Sequence, residues 1–282
     1  MLLDALMNFE LLRNTFYTGL LVGLIAPLLG TFILVRRLSL IADGLSHVTL
    51  AGIAFGLFMQ KKYTLLMFTP FHSGIAFSII GALVIENLRS VYKAFQEIAI
   101  PITLSVGVGL SVVFIALADG INTDIFAYLF GSVAAVSRTD LYLVLAVTLF
   151  VIIMVITLYK ELLALSFDEE FATVSGIRSK VIHFIFIVMT ALVISASIRI
   201  VGVLLVSALM TLPVATSIRI AKSFKQAIFY SIIYGEVAVI SGLITGYYFE
   251  IPPGGTIVII AASLLGLTLL IKKLYMARIY KG

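Results

Sequence analysis

The sequence predicts an all-α polytopic membrane protein, and three observations carry that expectation. Hydrophobic residues make up 62% of the 282-residue chain, charged residues 12%, and mean hydropathy is +1.20. A soluble domain averages roughly 45–50% apolar and about 25% charged residues. The apolar residues fall in long runs and not in the short alternating segments of an outer-membrane barrel. Most Lys and Arg residues lie in the connections between those runs, so a net charge of +5 is no argument for nucleic acid. A water-soluble fold, a disordered chain and a nucleic-acid binder are excluded together.

Runs long enough to cross a bilayer of ~30 Å stand near 14–35, 41–59, 72–88, 98–118, 140–159, 180–198, 201–220, 226–249 and 254–272. The seventh contains Gly202 and Pro213 and is separated from the sixth by two residues that include Arg199. A broken or half-length element suits it better than a plain span. The expectation is eight full transmembrane helices plus one interrupted segment. The residues from Met1 to Arg13 lack a basic n-region and no small-residue cleavage pattern follows, so the first run reads as a permanent span. Cysteine is absent, which removes thiolate metal sites and disulfides.

Basic residues set the orientation. Arg36, Arg37, Arg89, Lys93, Lys160, Arg178, Lys180, Arg219, Lys222, Lys225, Lys272, Lys273, Arg278 and Lys281 share one set of loops. Only Arg13, Lys61, Lys62, Arg138 and Arg199 lie in the other. The positive-inside rule puts the first set in the cytoplasm, with the N-terminus outside and the C-terminus inside. Small residues spaced as GxxxG at Gly19–Gly23, Gly52–Gly56 and Gly242–Gly246 let helices approach closely, either within one subunit or at a seam between two.

Catalytic signatures are missing: there is no H-E-x-x-H, no G-x-S-x-G and no phosphate loop. The chain is therefore not an enzyme, and any ATP is bound by another polypeptide. An unpaired charge at mid-membrane costs at least ~2.5–3.5 kcal/mol, so ionisable residues inside spans are the candidates for function. Asp43 and His47, four apart, share a helix face one turn from each other. A carboxylate and an imidazole suit zinc and are acceptable to manganese or iron. The same spacing also suits a buried Asp–His hydrogen bond that fixes packing. Zinc takes four ligands as a rule, so two chains related by a twofold axis beside this helix would complete the set and form a homodimer. Glu236, deep in the eighth run, either lines a pathway or bonds a neighbouring helix. His72 and His183 read as interfacial residues, and Arg199 as an outer-edge residue that snorkels to the headgroups.

The loop 160–180 is too polar to span and too periodic to be a mere linker. Ser166 and Glu169 form a capping-box pattern, which predicts a short helix from Phe167 with Phe167, Phe171 and Val174 on one face. Asp168, Glu169 and Glu170 decorate its start and Gly176 ends it. Three acids in a row disfavour an anionic leaflet, and a partner protein is the expected contact.

Four stretches carry a resemblance: 37–47 (RLSLIADGLSH), 128–132 (YLFGS), 167–176 (FDEEFATVSG) and 201–213 (VGVLLVSALMTLP). In that order they resemble the permease subunits of bacterial ABC importers for zinc, manganese and iron(II), over about Leu11 to Leu270. The resemblance implies a type II importer fold, one transmembrane permease domain over 1–282, two permeases with two ABC ATPase subunits, and a metal-binding extracytoplasmic protein that delivers the ion. It implies that Phe167, Asp168, Glu169, Glu170, Phe171, Val174 and Gly176 form the coupling helix seated on the ATPase, and that Asp43 and His47 are pathway ligands. Glu236 stays a pathway candidate from its position alone. It further implies a bacterial plasma membrane, no permanently bound cofactor and a transported divalent metal. The stretch 36–54 looks closer to zinc-uptake permeases than to manganese ones. The family's late tract carries an aspartate before its proline, where this chain has Glu250 before Ile251, Pro252 and Pro253. An ion-coupled secondary carrier is the competing class; it needs no docking helix, and its customary inverted repeats are not visible here.

Overall fold

A computed structural model describes residues 8–63, 69–92, 95–118, 120, 123–134 and 136–279, and every element among them is helical. Lys93 and Lys281, counted above for orientation, lie outside the described residues. In chain order the helices are α1 Glu10–Val35, α2 Leu40–Tyr63, α3 Pro70–Val91, α4 Ala99–Leu117, α5 Thr123–Phe130, α6 Arg138–Thr157, α7 Tyr159–Phe167, α8 Glu169–Val174, α9 Ser179–Val201, α10 Val206–Ser217, α11 Phe224–Phe249 and α12 Pro253–Ile279. A 3₁₀ turn, Gln96–Ile98, leads into α4.

Eight of these helices are long and apolar enough to cross a membrane. The interrupted segment is α10: its 12 residues rise about 18 Å, short of a hydrocarbon core of ~30 Å. The break comes from Gly202 (φ 86°) at the end of α9, whereas Pro213 sits inside α10 without ending it. The unwound backbone is paired within the protein, as irregular backbone at membrane depth requires. Val203 N–H donates to Tyr128 O at 2.9 Å and Ser132 N–H to Arg199 O at 3.3 Å, both partners belonging to α5 and the end of α9.

Side-chain chemistry places the helix starts. Thr69 caps α3 with Pro70 in its first turn, Ser137 and Asp140 form a reciprocal capping box on α6, and Ser223 caps α11. The end of α1 is less usual. Leu38 N–H donates to Ile33 O at 2.9 Å and Arg37 N–H to Leu34 O at 3.0 Å. That is a Schellman turn whose left-handed position is Arg37 (φ 58°) and not glycine. Glu250 (φ 54°) occupies the same position after α11, with Ile251 N–H on Gly246 O at 3.2 Å. Its place before the prolines is thus that of a helix-ending turn.

Two faces follow from the contacts. At one, Phe32 near the end of α1 meets Tyr159 and Phe224, and Lys272 Nζ donates to Arg219 O at 2.6 Å. At the other, Glu10 pairs with Arg138 and Arg199 with Asp140 at 3.4 Å. Among the described residues eight helices run between the faces, α1 to α4, α6, α9, α11 and α12, and the shorter α10 lies among them. Arg36, Lys160, Lys180, Arg219, Lys222 and Lys272 fall on the first face, as their loops predict. The centre of the bundle is α1, α2 and α9, buried along most of their length, while α3, α4, α6 and α12 turn a side outward.

All three GxxxG pairs serve packing within the chain. A Cβ at Gly19 would meet Leu243 at 2.6 Å, one at Gly52 would meet Ser73 O at 2.6 Å, and one at Gly242 would crowd Ile257.

Candidate functional site

Asp43 and His47 stand on α2 as their spacing predicts, one turn apart and half-buried. Asp43 lies in the first turn of α2, where the helix dipole favours a carboxylate. Its charge acts on the His47 ring. The side of α2 next to the pair, one residue on at Gly44 and Val48, is held very close to α4. A Cβ at Gly107 would sit 2.8 Å from Val48 N and 3.1 Å from His47 C, so only glycine lets the two backbones approach. A Cβ at Gly44 would lie 3.5 Å from the Ile100 side chain of α4, an ordinary contact. This packing fixes the angle at which α2 presents the pair. Among the described residues no group of three or more His, Cys, Asp and Glu could hold a metal ion. Among those residues the pair therefore has no third His, Cys, Asp or Glu beside it.

Glu236 belongs to a different seam. It lies on α11 against α1, where a Cβ at Gly23 would come 3.1 Å from its carboxyl carbon. Its Oε2 is buried with no hydrogen-bond partner. Pro27, which has no N–H to give Gly23 O one helical turn below, sits beside it. A Cβ at Gly235 would be 2.8 Å from that same carbonyl. The structure does not bring Glu236 together with Asp43 and His47 as one ligand group.

The loop 160–180 departs from its predicted detail. Ser166 is not a cap: it is inside α7 and its Oγ donates to Leu162 O at 2.6 Å. The short helix starts at Glu169, after Asp168 in extended backbone, whose Oδ1 accepts Phe171 N–H at 2.8 Å. The predicted single helix is therefore two, because Leu162 and Leu165 bury a face of α7 that continues through Phe167. Phe167 ends α7, and Phe171 and Val174 lie on α8. All three are nonetheless exposed, Val174 to 88%. Glu169 and Glu170 are exposed beside them, while Ala172 anchors α8 to the body. Gly176 (φ 87°) ends α8 as expected, with Ile177 N–H donating to Ala172 O at 3.1 Å. An open groove of about 850 Å³ runs along Gln96, Phe167, Asp168, Glu169, Glu170 and Val174.

Two other readings are corrected. Arg199 does not reach for headgroups: it pairs with Asp140 and stacks 5.3 Å from the ring centroids of both Phe71 and Tyr128. His183 is buried and not interfacial, its Nε2 lying 3.3 Å from Glu86 Oε2 on α3. Both partners come from helices far away in sequence. His72 is exposed and bonds Thr69, consistent with an interfacial place.

A model of the ABC 3 transport family matches residues 8–272. The chain belongs to that family. It is a multi-pass membrane permease, and ATP is hydrolysed by a separate ATPase subunit. The permease is 31% identical over 260 residues to the manganese import system permease protein ScaB of Streptococcus parasanguinis, covering 92% of this chain and 90% of that one. It is 30% identical over 261 residues to the high-affinity zinc uptake system membrane protein ZnuB of Haemophilus influenzae, covering 93% and 97% respectively. Among solved structures it superposes on PsaBC from Streptococcus pneumoniae, in complex with Fab, with a TM-score of 0.81 and 32% identity. That match covers 94% of this permease and 93% of the other chain. The fold is that of an ABC-transporter permease.

Proposed function

We propose that this permease forms the translocation pathway of an ATP-driven importer for a divalent metal ion, with zinc ahead of manganese, in a bacterial plasma membrane. The observation that carries the reading is the Asp43–His47 pair, half-buried one turn apart on a central helix. Two such pairs across a twofold axis supply four oxygen and nitrogen ligands, the number zinc takes. The basic face is cytoplasmic, the N-terminus outside and the C-terminus inside. A metal-binding extracytoplasmic protein delivers the ion at the far face. Two ATPase subunits sit on the basic face, one for each permease.

Manganese accepts the same donors and is the ion named for the Streptococcus relative. Uptake of labelled zinc and of labelled manganese by cells lacking the gene, then re-supplied with it, separates the two ions. Restored zinc uptake is the expected result. Restored manganese uptake alone would assign the second ion, and restoration of neither would end the reading.

The exposed α8, with Phe171 and Val174 bare beside Glu169 and Glu170, is the seat for the ATPase. A buried aromatic anchor at an interface is worth ~2 kcal/mol or more when truncated. Phe171→Ala and Glu170→Lys are therefore expected to reduce the ATPase recovered with the purified permease by tenfold or more, without loss of membrane insertion. Full recovery with both variants would remove the assignment.

A further inference from the structure

The loop that carries α8 is tied to the transmembrane helices by rings. Phe167, at the end of α7, meets Phe224 at the start of α11 edge-to-face, with centroids 5.9 Å apart. Phe224 meets Phe32 of α1 at 5.1 Å, and Phe32 meets Phe186 of α9 at 6.4 Å, again edge-to-face. Arg36, just past α1, closes the row with its guanidinium 4.9 Å from the centroid of Phe186. These spacings lie in the range of about 4.5–7 Å in which aromatic pairs attract, and the last is a cation–π contact. Phe32 and Phe186 are fully buried, while Phe167 is 68% exposed at the row's end.

α8 itself packs on α7 and α9, and α7 packs directly on α1, where Tyr159 meets Phe32; the Phe167–Phe224 contact ties the exposed end of α7 to α11 as well. Beside these two rings lies a cavity of about 280 Å³, lined by Thr31, Val35, Val214, Ile218, Phe167 and Phe224. It opens to the surface and leaves Phe167 and Phe224 unpacked on that side. Above the row, Pro27 removes one hydrogen bond from α1. Pro27 thus stands between the segment carrying Phe32 and the part of α1 that faces Glu236, at a point where the helix lacks one of its hydrogen bonds. Arg36 adds an electrostatic tie. Burial pushes its guanidinium down to about 10, and among the charges around it Glu169 of α8 opposes that shift most strongly.

We propose that the row Phe167–Phe224–Phe32–Phe186, closed by Arg36, is a positioning element that carries displacement of the 160–180 loop into α1 and α9. The proposal rests on the reading of α8 as the ATPase seat. It makes Phe224 and Arg36 positioning residues for transport, neither touching the ion nor the ATPase.

The test uses the permease–ATPase complex in liposomes, read for ATPase subunit retained, ATP hydrolysed and labelled metal taken up, with zinc and manganese each as probe. Phe224→Leu keeps an apolar side chain but breaks the row. It should retain the ATPase subunit and thermal stability, while metal taken up per ATP falls roughly 2- to 30-fold. Phe224→Tyr keeps the ring and should restore the ratio. A wild-type ratio in Phe224→Leu overturns the proposal, as does a loss that Phe224→Tyr fails to restore. If Phe224→Leu lowers thermal stability, Arg36→Gln is read instead, and a wild-type ratio there is equally fatal. Failure of the docking reading is seen separately, as Phe171→Ala retaining its ATPase.

Discussion

Replacing Asp43 or His47 by Ala should abolish metal uptake while the permease still folds and still retains its ATPase. Each substitution removes one of the two donors a chain offers, and a twofold assembly loses two of four. Zinc bound by two side chains in place of four is held so weakly that uptake should fall at least a hundredfold, about 2.7 kcal/mol or more. His47 is a donor only when its imidazole is neutral, and Asp43 only when ionised. Removing either changes ion binding without opening a cavity in the central packing, because both side chains are half-exposed. A packing hydrogen bond makes the opposite forecast. His47→Asn would then hold Asp43 and keep transport, and the Ala variants would mainly lose stability. Uptake and thermal unfolding measured together on Asp43→Ala, His47→Ala and His47→Asn decide between them. Near-normal uptake by a well-expressed His47→Asn variant would sink the ligand assignment.

What the sequence made legible, and what it hid, divides along physical lines. The eight long helices were visible because a bilayer demands about 20 apolar residues in a row, and the ends found differ from those expected by a few residues. The break before α10 was visible because Gly202 marks it, although Pro213, which also suggested it, lies within the helix. Short helices were harder. α5 has 8 residues and α7 has 9, too few for a span, and their faces are set by the neighbours they pack on. The acids of the 160–180 loop announced a helix start, but whether Ser166 or Asp168 caps it depends on where α7 ends. Asp168 takes the role because the backbone turns extended there (φ −154°). Partners from distant parts of the chain left no local trace, which is why Arg199 and His183 were given to the membrane surface and not to Asp140 and Glu86. The Asp43–His47 pair was legible because a helix places residues four apart on one face.

Glu236 shows how position and partner differ as evidence. Its depth in the eighth run marked it out, and the structure gives it a half-buried carboxyl group with one orphaned oxygen against Gly23. That orphan lies where Pro27 leaves a carbonyl of α1 without its helical donor. The seam between α1 and α11 is therefore polar at mid-depth and glycine-thin, while Thr31 and Ser231 share a hydroxyl contact at 3.1 Å nearer the basic face.

Gly202→Ala should be the most damaging substitution of a small residue in the chain. Its backbone (φ 86°, ψ 153°) lies in a region that is essentially glycine's alone, at a cost of ~1–3 kcal/mol for any other residue. Space forbids the methyl group as well. A Cβ at Gly202 would overlap Leu129 O, one at Gly131 would overlap Ile200 O, and one at Gly254 would overlap Val201 O. Three glycines thus meet where α5, the end of α9 and the start of α12 cross, beside carbonyls of α5 that accept hydrogen bonds from the unwound stretch after α9. Leu129 O accepts Leu204 N–H at 3.4 Å and Tyr128 O accepts Val203 N–H at 2.9 Å. Pushing α5 aside would strand those donors in the membrane, each at ~1–3 kcal/mol. Strain and lost bonds together make a loss of about 4 kcal/mol or more the expected result, with α10 no longer held in place and folded yield falling accordingly. Gly109 on α4, where a Cβ would meet nothing within 4 Å, is the control. Gly109→Ala should leave stability unchanged or raise it by ~0.5–1 kcal/mol through helix propensity. Thermal unfolding of both variants in detergent makes the comparison, and a Gly202→Ala variant as stable as Gly109→Ala would refute the account of the break.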